Sequence, residues 1–254
     1  MLIHRGFTGH ACRPHEKSGL ASQSYSQKPS GTAYSHFHPS ANELATISST
    51  IDDAVIGSAF SAALSYAEAI SGLQKGSVSW SIIKLYYSCF YSLRAMLLLN
   101  KIIPFNYNGE MLLDIPNIKF IKGGNSSHHW NWNSIRKIPQ LSTHWFISSD
   151  SQESYEKLRK HRENVNYTHG FTDPNLHHCL TSSEPDLSKR IRIYRDDSNF
   201  LYTYLIDHLA IAYPTKLIFS LDTLMQLTTT RLTAENISHL QKVWPIKDRC
   251  PLGH

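Results

Sequence analysis

The chain has 254 residues, 41% of them apolar, and carries a formal charge of +5. That is enough apolar material for a sizeable core, and thirteen tyrosines, ten phenylalanines and five tryptophans exclude a chain that is disordered throughout. The charge is a mild bias toward acidic partners such as nucleic acid, and a basic total of this size is more often a matter of solubility than a binding site.

Residues 1–40 are rich in Ser, Gly, His and Pro and show no apolar periodicity, so they read as a flexible tail. Its histidines (His4, His10, His15, His36 and His38) are irregularly spaced and read as surface groups rather than metal ligands. The first seventeen residues hold no continuous apolar run, so no secretory signal is expected. Cys12, Cys89, Cys179 and Cys250 lie far apart with no CxxC, a pattern that suits a reducing cytoplasm. Cys89, inside an apolar run, is expected to be a buried free thiol.

From residue 41 the chain turns alanine-rich, with apolar residues returning every three or four positions, which predicts a helix ending near Gly76. Residues 77–100 repeat the spacing with nearly all faces apolar, which predicts a buried central helix. The short Lys-Gly-Ser turn between them predicts an antiparallel hairpin. Lys84 and Arg94 interrupt the apolar run, so no stretch of about 18 uninterrupted apolar residues arises and no membrane partner is expected.

Residues 101–148 break the helical pattern with Pro, Gly and Asn and read as an insertion of irregular structure and short strands. The tryptophans at 130 and 132, beside His128 and His129, are expected to pack this insertion rather than stack on a ligand. Residues 149–169 read as a helix capped by Ser149 or Asp150, with Glu153 in its first turn and Gly170 just past its end. A loop with a basic stretch, Lys189, Arg190, Arg192 and Arg195, follows. One or two helices around Pro214 come next, then a short amphipathic helix opening on Thr-Ala-Glu. The expected fold is all-α: an up-and-down bundle of about five helices over 41–254, with an irregular insertion at 101–148. There is no internal repeat and no GxGxxG, Walker A or HExxH motif.

The chemistry concentrates in RENVNYTHGF, residues 162–171. On a helix of 3.6 residues per turn, Arg162 and His169 are about two turns apart and share a face. Lys157, Arg159, Lys160 and Arg162 make this helix basic, a place for a phosphate chain. Arg159, Lys160, Glu163 and Asn166 are the expected substrate-binding residues. The catalytic pair, Arg162 and His169, is roughly 10 Å apart along the axis, which is long for both to act on one phosphate. A two-fold dimer removes the difficulty by bringing each Arg162 to its partner's histidine. An imidazole base and acid beside a guanidinium is what RNA cleavage by 2′-OH attack requires, without a metal or other cofactor. The same Arg-to-His spacing at Arg5/His10 and Arg249/His254 lies in the tails.

Two stretches are similar to the HEPN family (higher eukaryotes and prokaryotes nucleotide-binding). WSIIKLYYSCFYSLRAMLLLN resembles the family's aromatic-rich helix, and RENVNYTHGF resembles its Arg, four to six residues, His motif, with Phe171 two positions after the histidine. The resemblance covers roughly residues 50–100 and 150–230. It implies a metal-independent endoribonuclease, dimeric and cytoplasmic, with Arg162 and His169 in a composite site. It also implies service in a prokaryotic toxin-antitoxin, abortive-infection or CRISPR system, with an antitoxin or other defence protein as partner. One position departs: Glu163 stands where the family usually has Asn, Asp or His. Its carboxylate is placed to pair with Arg162 or to repel phosphate. Two rivals stand beside this reading. One is a catalytically silent HEPN scaffold that binds RNA, nucleotide or a partner. The other is a metal site at His177, His178, Cys179 and His169, disfavoured because adjacent ligands rarely converge on one ion.

Overall fold

The structure is a computed structural model that describes residues 41–106, 110–122, 128, 130, 132–168 and 186–253. The tail expected over 1–40 and the histidines in it lie outside those residues, as do Cys12 and Cys179. The described chain is mostly helical, with one small antiparallel sheet. It divides into two units, one holding Met1–Ser58 and Arg94–Ile147, the other Ala59–Leu93 and Ser148–His254.

Two helices open the described chain, α1 (Ala41–Gln74) and α2 (Val78–Leu99). The predicted turn between them is present. Gly76, at φ 75°, takes the left-handed position past the end of α1. Ser77 N donates to Gly72 O at 2.8 Å and Gly76 N to Leu73 O at 3.1 Å, the paired bonds that close a helix at such a glycine. Gly72 serves a different need. A Cβ there would stand 2.4 Å from Ser81 Oγ on α2, so any larger residue would force that hydroxyl to move. α1 and α2 also carry windows long and apolar enough by composition to cross a membrane, with mean hydropathy 1.2 and 1.3. Of those windows 78% and 72% is buried, as in core helices.

In the first unit the chain leaves α2 through Lys101 and enters β1 (Ile102–Asn106), β2 (Glu110–Asp114) and β3 (Lys119–Lys122). The strands pair antiparallel in the order β1-β2-β3, with Ile102 opposite Asp114 and Asp114 opposite Lys119. Pro104, which has no N–H to give a ladder, lies in the edge strand β1. Its carbonyl accepts from Arg94 Nη2 at 3.4 Å. A single helical turn, α3 (Trp132–Ile135), and two 3-10 turns complete this unit. Trp130 and Trp132 are buried, as expected of packing residues.

The second unit holds the hairpin end of α1 and α2 together with α4 (Ser149–Glu163), α5 (Leu187–Arg195), α6 (Leu209–Gln226) and α7 (Ala234–Val243). Buried hydroxyl pairs cross-link these helices: Tyr66 to Thr215 at 2.6 Å, Tyr86 to Tyr155 at 3.1 Å and Ser151 to Tyr213 at 2.9 Å. Each removes two buried polar groups from solvent without leaving either unmet. Cys89 is fully buried and free, and burial pushes its thiol pKa well up.

Two local expectations need correction. The basic stretch after residue 186 is not loop but helix α5, capped by Asp186, whose carboxylate accepts from Ser188 N and Lys189 N. The one or two helices expected around Pro214 are a single helix, and the apolar run before it forms turns. Asp197 accepts from the backbone of Leu201, Tyr202 and Thr203 at 2.8, 2.9 and 2.9 Å, and this holds 197–203 in turns. Only Leu209–Gln226 is helical, and Pro214 inside it has no N–H to give the Ala210 carbonyl. The amphipathic helix opening on Thr-Ala-Glu is α7, with Thr233 as its cap.

Candidate functional site

The helix α4 begins one residue earlier than predicted. Ser148 is its cap, its hydroxyl accepting from Ser151 N at 3.1 Å, and Asp150 supplies the first-turn acid at the positive end of the dipole. Ser151, Tyr155, Leu158 and Arg162 recur at four, three and four residues and are buried, so they form one inward stripe. Arg162 therefore ends a core-facing row rather than lying on a solvated face.

The regular helix stops at Glu163 and the chain passes into a π-helical turn, Asn164–Thr168. The expectation that Arg162 and His169 share a face assumed regular 3.6-residue turns, which do not run through 164–168. A helix of 3.6 residues per turn does not continue through a turn closed by i→i+5 bonds. His169 and Gly170 themselves lie outside the described residues.

Arg162 is 8% exposed and meets tyrosines, not carboxylates. Its Nη2 donates to the Tyr87 hydroxyl at 3.0 Å. Its guanidinium carbon stands 5.5, 5.6 and 5.9 Å from the ring centroids of Tyr86, Tyr87 and Tyr167. Rings at this distance attract a cation through their negative faces. Tyr86 is itself held by Tyr155, and burial raises its phenol pKa above the ordinary value. Burial opposes the charge on Arg162, but the Tyr87 hydrogen bond and the neighbouring phenols outweigh it, so the guanidinium pKa is raised and the group stays charged. Its Nε–H is buried with no acceptor, and among the described residues Arg162 has no acidic partner. A buried cation that meets only neutral groups and keeps a donor unspent is costly, and such cost is concentrated at functional sites.

The other expected substrate-binding residues are placed differently. Arg159 is held between Glu156, at 2.8 Å, and Glu163, at 2.5 Å. Glu163 is thus spent on Arg159 and does not pair with Arg162. Lys157 pairs with Glu153 at 2.7 Å. Asp150, Glu153, Glu156 and Glu163 match Lys157, Arg159, Lys160 and Arg162, so α4 carries no net basic charge, which corrects the basic helix expected from its cations. Lys160 and Asn166 are exposed.

Tyr86, Tyr87 and Tyr167 were not among the expected site residues. In the sequence Tyr87 counts only as one more large residue on a helix apolar on nearly every face. The sole hint is the adjacent pair Tyr86 and Tyr87 in a run that also holds Lys84, Ser88 and Tyr91. In the basic stretch, Arg190 is buried and donates to the Tyr194 hydroxyl, which bonds His208 Nδ1 at 2.7 Å. Arg195 pairs with Asp196 and Asp248. These two arginines bind the fold, which leaves Lys189 and Arg192 as the exposed members of that stretch. Arg249 pairs at 2.7 Å with the buried Asp222, a structural bridge. His177, His178 and Cys179 lie outside the described residues, and among the described residues no group of three or more His, Cys, Asp or Glu is placed to hold a metal ion.

Comparison with protein-family models, curated proteins and solved structures finds no match to this chain.

Proposed function

We propose that this protein is a metal-independent endoribonuclease of HEPN type, working as a cytoplasmic homodimer in a prokaryotic defence or toxin-antitoxin system. One observation carries the reading: Arg162 is a buried guanidinium with aromatic neighbours, an unspent Nε–H and, among the described residues, no carboxylate partner. An RNA phosphate carries the negative charge that this guanidinium lacks.

In this reading Arg162 stabilises the charge that grows on phosphorus as the 2′-oxygen attacks. His169 of one protomer takes the 2′-OH proton and His169 of the other protonates the departing 5′-oxygen. The products are a 2′,3′-cyclic phosphate and a 5′-hydroxyl. Lys160 and Asn166, both exposed, lie along α4 and the π turn where flanking phosphates would run.

A catalytically silent scaffold that binds RNA or a partner protein is the second reading. The charge balance of α4 favours it, because a neutral helix draws in little phosphate. An RNA cleavage assay in EDTA, comparing wild type with Arg162→Ala and His169→Ala, separates the two. Cyclic phosphate ends from wild type alone support the nuclease. RNA binding without cleavage by any of the three supports the scaffold.

A further inference from the structure

Among the three rings around Arg162, Tyr86 and Tyr87 come from the interior helix α2, whereas Tyr167 is 77% exposed. Its position depends on the π turn. In a continuous α-helix a residue five places after Arg162 would point about 140° away from it. The turn Asn164–Thr168, closed at i→i+5, instead brings residue 167 back over residue 162, so its ring lies 5.9 Å from the guanidinium carbon. The local distortion thus puts a large aromatic surface in solvent beside a buried cation that has an unspent donor.

We infer that Tyr167 is a stacking platform for a nucleobase of single-stranded RNA whose adjacent phosphate is held by Arg162. This rests on Arg162 being the phosphate seat proposed above. Stacking on an exposed ring needs a base already free of its neighbours, so the substrate class is an unpaired segment: a loop, bulge or end. A ring face accepts any base, so Tyr167 selects for strandedness rather than for sequence.

The test is binding of a short oligoribonucleotide carrying one 2-aminopurine, whose fluorescence falls when the base stacks. Wild type is expected to quench it. Tyr167→Phe should quench as well, because the ring rather than the hydroxyl carries the contact. Tyr167→Leu should lose the quench and bind about ten-fold more weakly. The salt dependence of binding separates loss of stacking from a displaced Arg162. It stays unchanged in Tyr167→Leu if the phosphate contact persists, and it shallows if Arg162 has moved. The inference is overturned if Tyr167→Leu quenches and binds as wild type does, if its salt dependence shallows, if a duplex binds as tightly as the single strand, or if wild type binds no oligonucleotide. The same samples are analysed for cyclic phosphate ends. Binding with quench but no cleavage sinks the nuclease reading and leaves this one standing. Cleavage with an unaffected Tyr167→Leu does the reverse.

Discussion

Arg162 on α4 donates through Nη2 to the hydroxyl of Tyr87 on α2 at 3.0 Å, a bond between residues 75 positions apart in the chain. It fixes one edge of the guanidinium and leaves the buried Nε–H unspent.

Tyr87→Phe keeps the ring beside the cation and removes the acceptor. A buried charged donor then loses its partner, so chemical denaturation should show a loss of about 1–3 kcal/mol. If Arg162 is the phosphate seat, RNA binding should weaken in the same variant, because the guanidinium is no longer held in one orientation. Unchanged stability in Tyr87→Phe would show that the bond does not hold Arg162.

Glu163→Gln tests the departure from the family pattern. The carboxylate lost is one of two on Arg159, and the pair is part-exposed, so stability should change by less than about 1 kcal/mol. The helix gains one net positive charge. RNA binding should tighten, with a steeper dependence on salt concentration. Weaker binding in this variant would contradict a passive role for Glu163.

Asp197 links stability to pH. Burial alone would raise its pKa, but the Thr203 hydroxyl and the backbone N–H groups of Thr203, Tyr202 and Leu201 stabilise the carboxylate, and its pKa is lowered. A depressed folded-state pKa means stability that is present above the unfolded value, about 3.9, and lost as pH falls through the folded one. Wild type should therefore lose stability in acid more steeply than Asp197→Asn, whose side chain does not titrate. Denaturation midpoints measured from pH 6 to pH 2 give the comparison, and parallel curves would remove Asp197 from the account.

Gly72→Ala should destabilise by about 1–3 kcal/mol, since its Cβ would meet Ser81 Oγ inside the hairpin. Ser81→Ala in the same chain removes the clashing atom, so the double variant should recover part of the loss. Additive losses in the two variants, measured by thermal melting, would show that the close approach is not the cause.

Much of the fold can be read locally. α1, α2 and α7 follow from apolar spacing, and Gly76 and Thr233 from the backbone geometry that their positions demand. The helix of the basic stretch was not legible, because in α5 the guanidinium groups of Arg190 and Arg195 lie over the rings of Tyr194 and Phe219, a use of arginine that a charge pattern cannot distinguish from a solvated loop. The turns at 197–203 were missed for a related reason. Four hydrogen bonds to one carboxylate override an apolar run that otherwise suits a helix.

For RENVNYTHGF, sequence alone determined that an arginine stands near the end of a helix, since composition and spacing are local quantities. Only the tertiary structure decided which cations are spent. Arg159 lies between two carboxylates one turn away on either side, while Arg162 turns inward to tyrosines that come from another helix. The π turn decided the rest, because one change in hydrogen-bond register carries Tyr167 onto the face of Arg162. The partners of Arg159, three and four residues away, lie within reach of spacing alone, whereas those of Arg162 are settled by packing between segments distant in the chain.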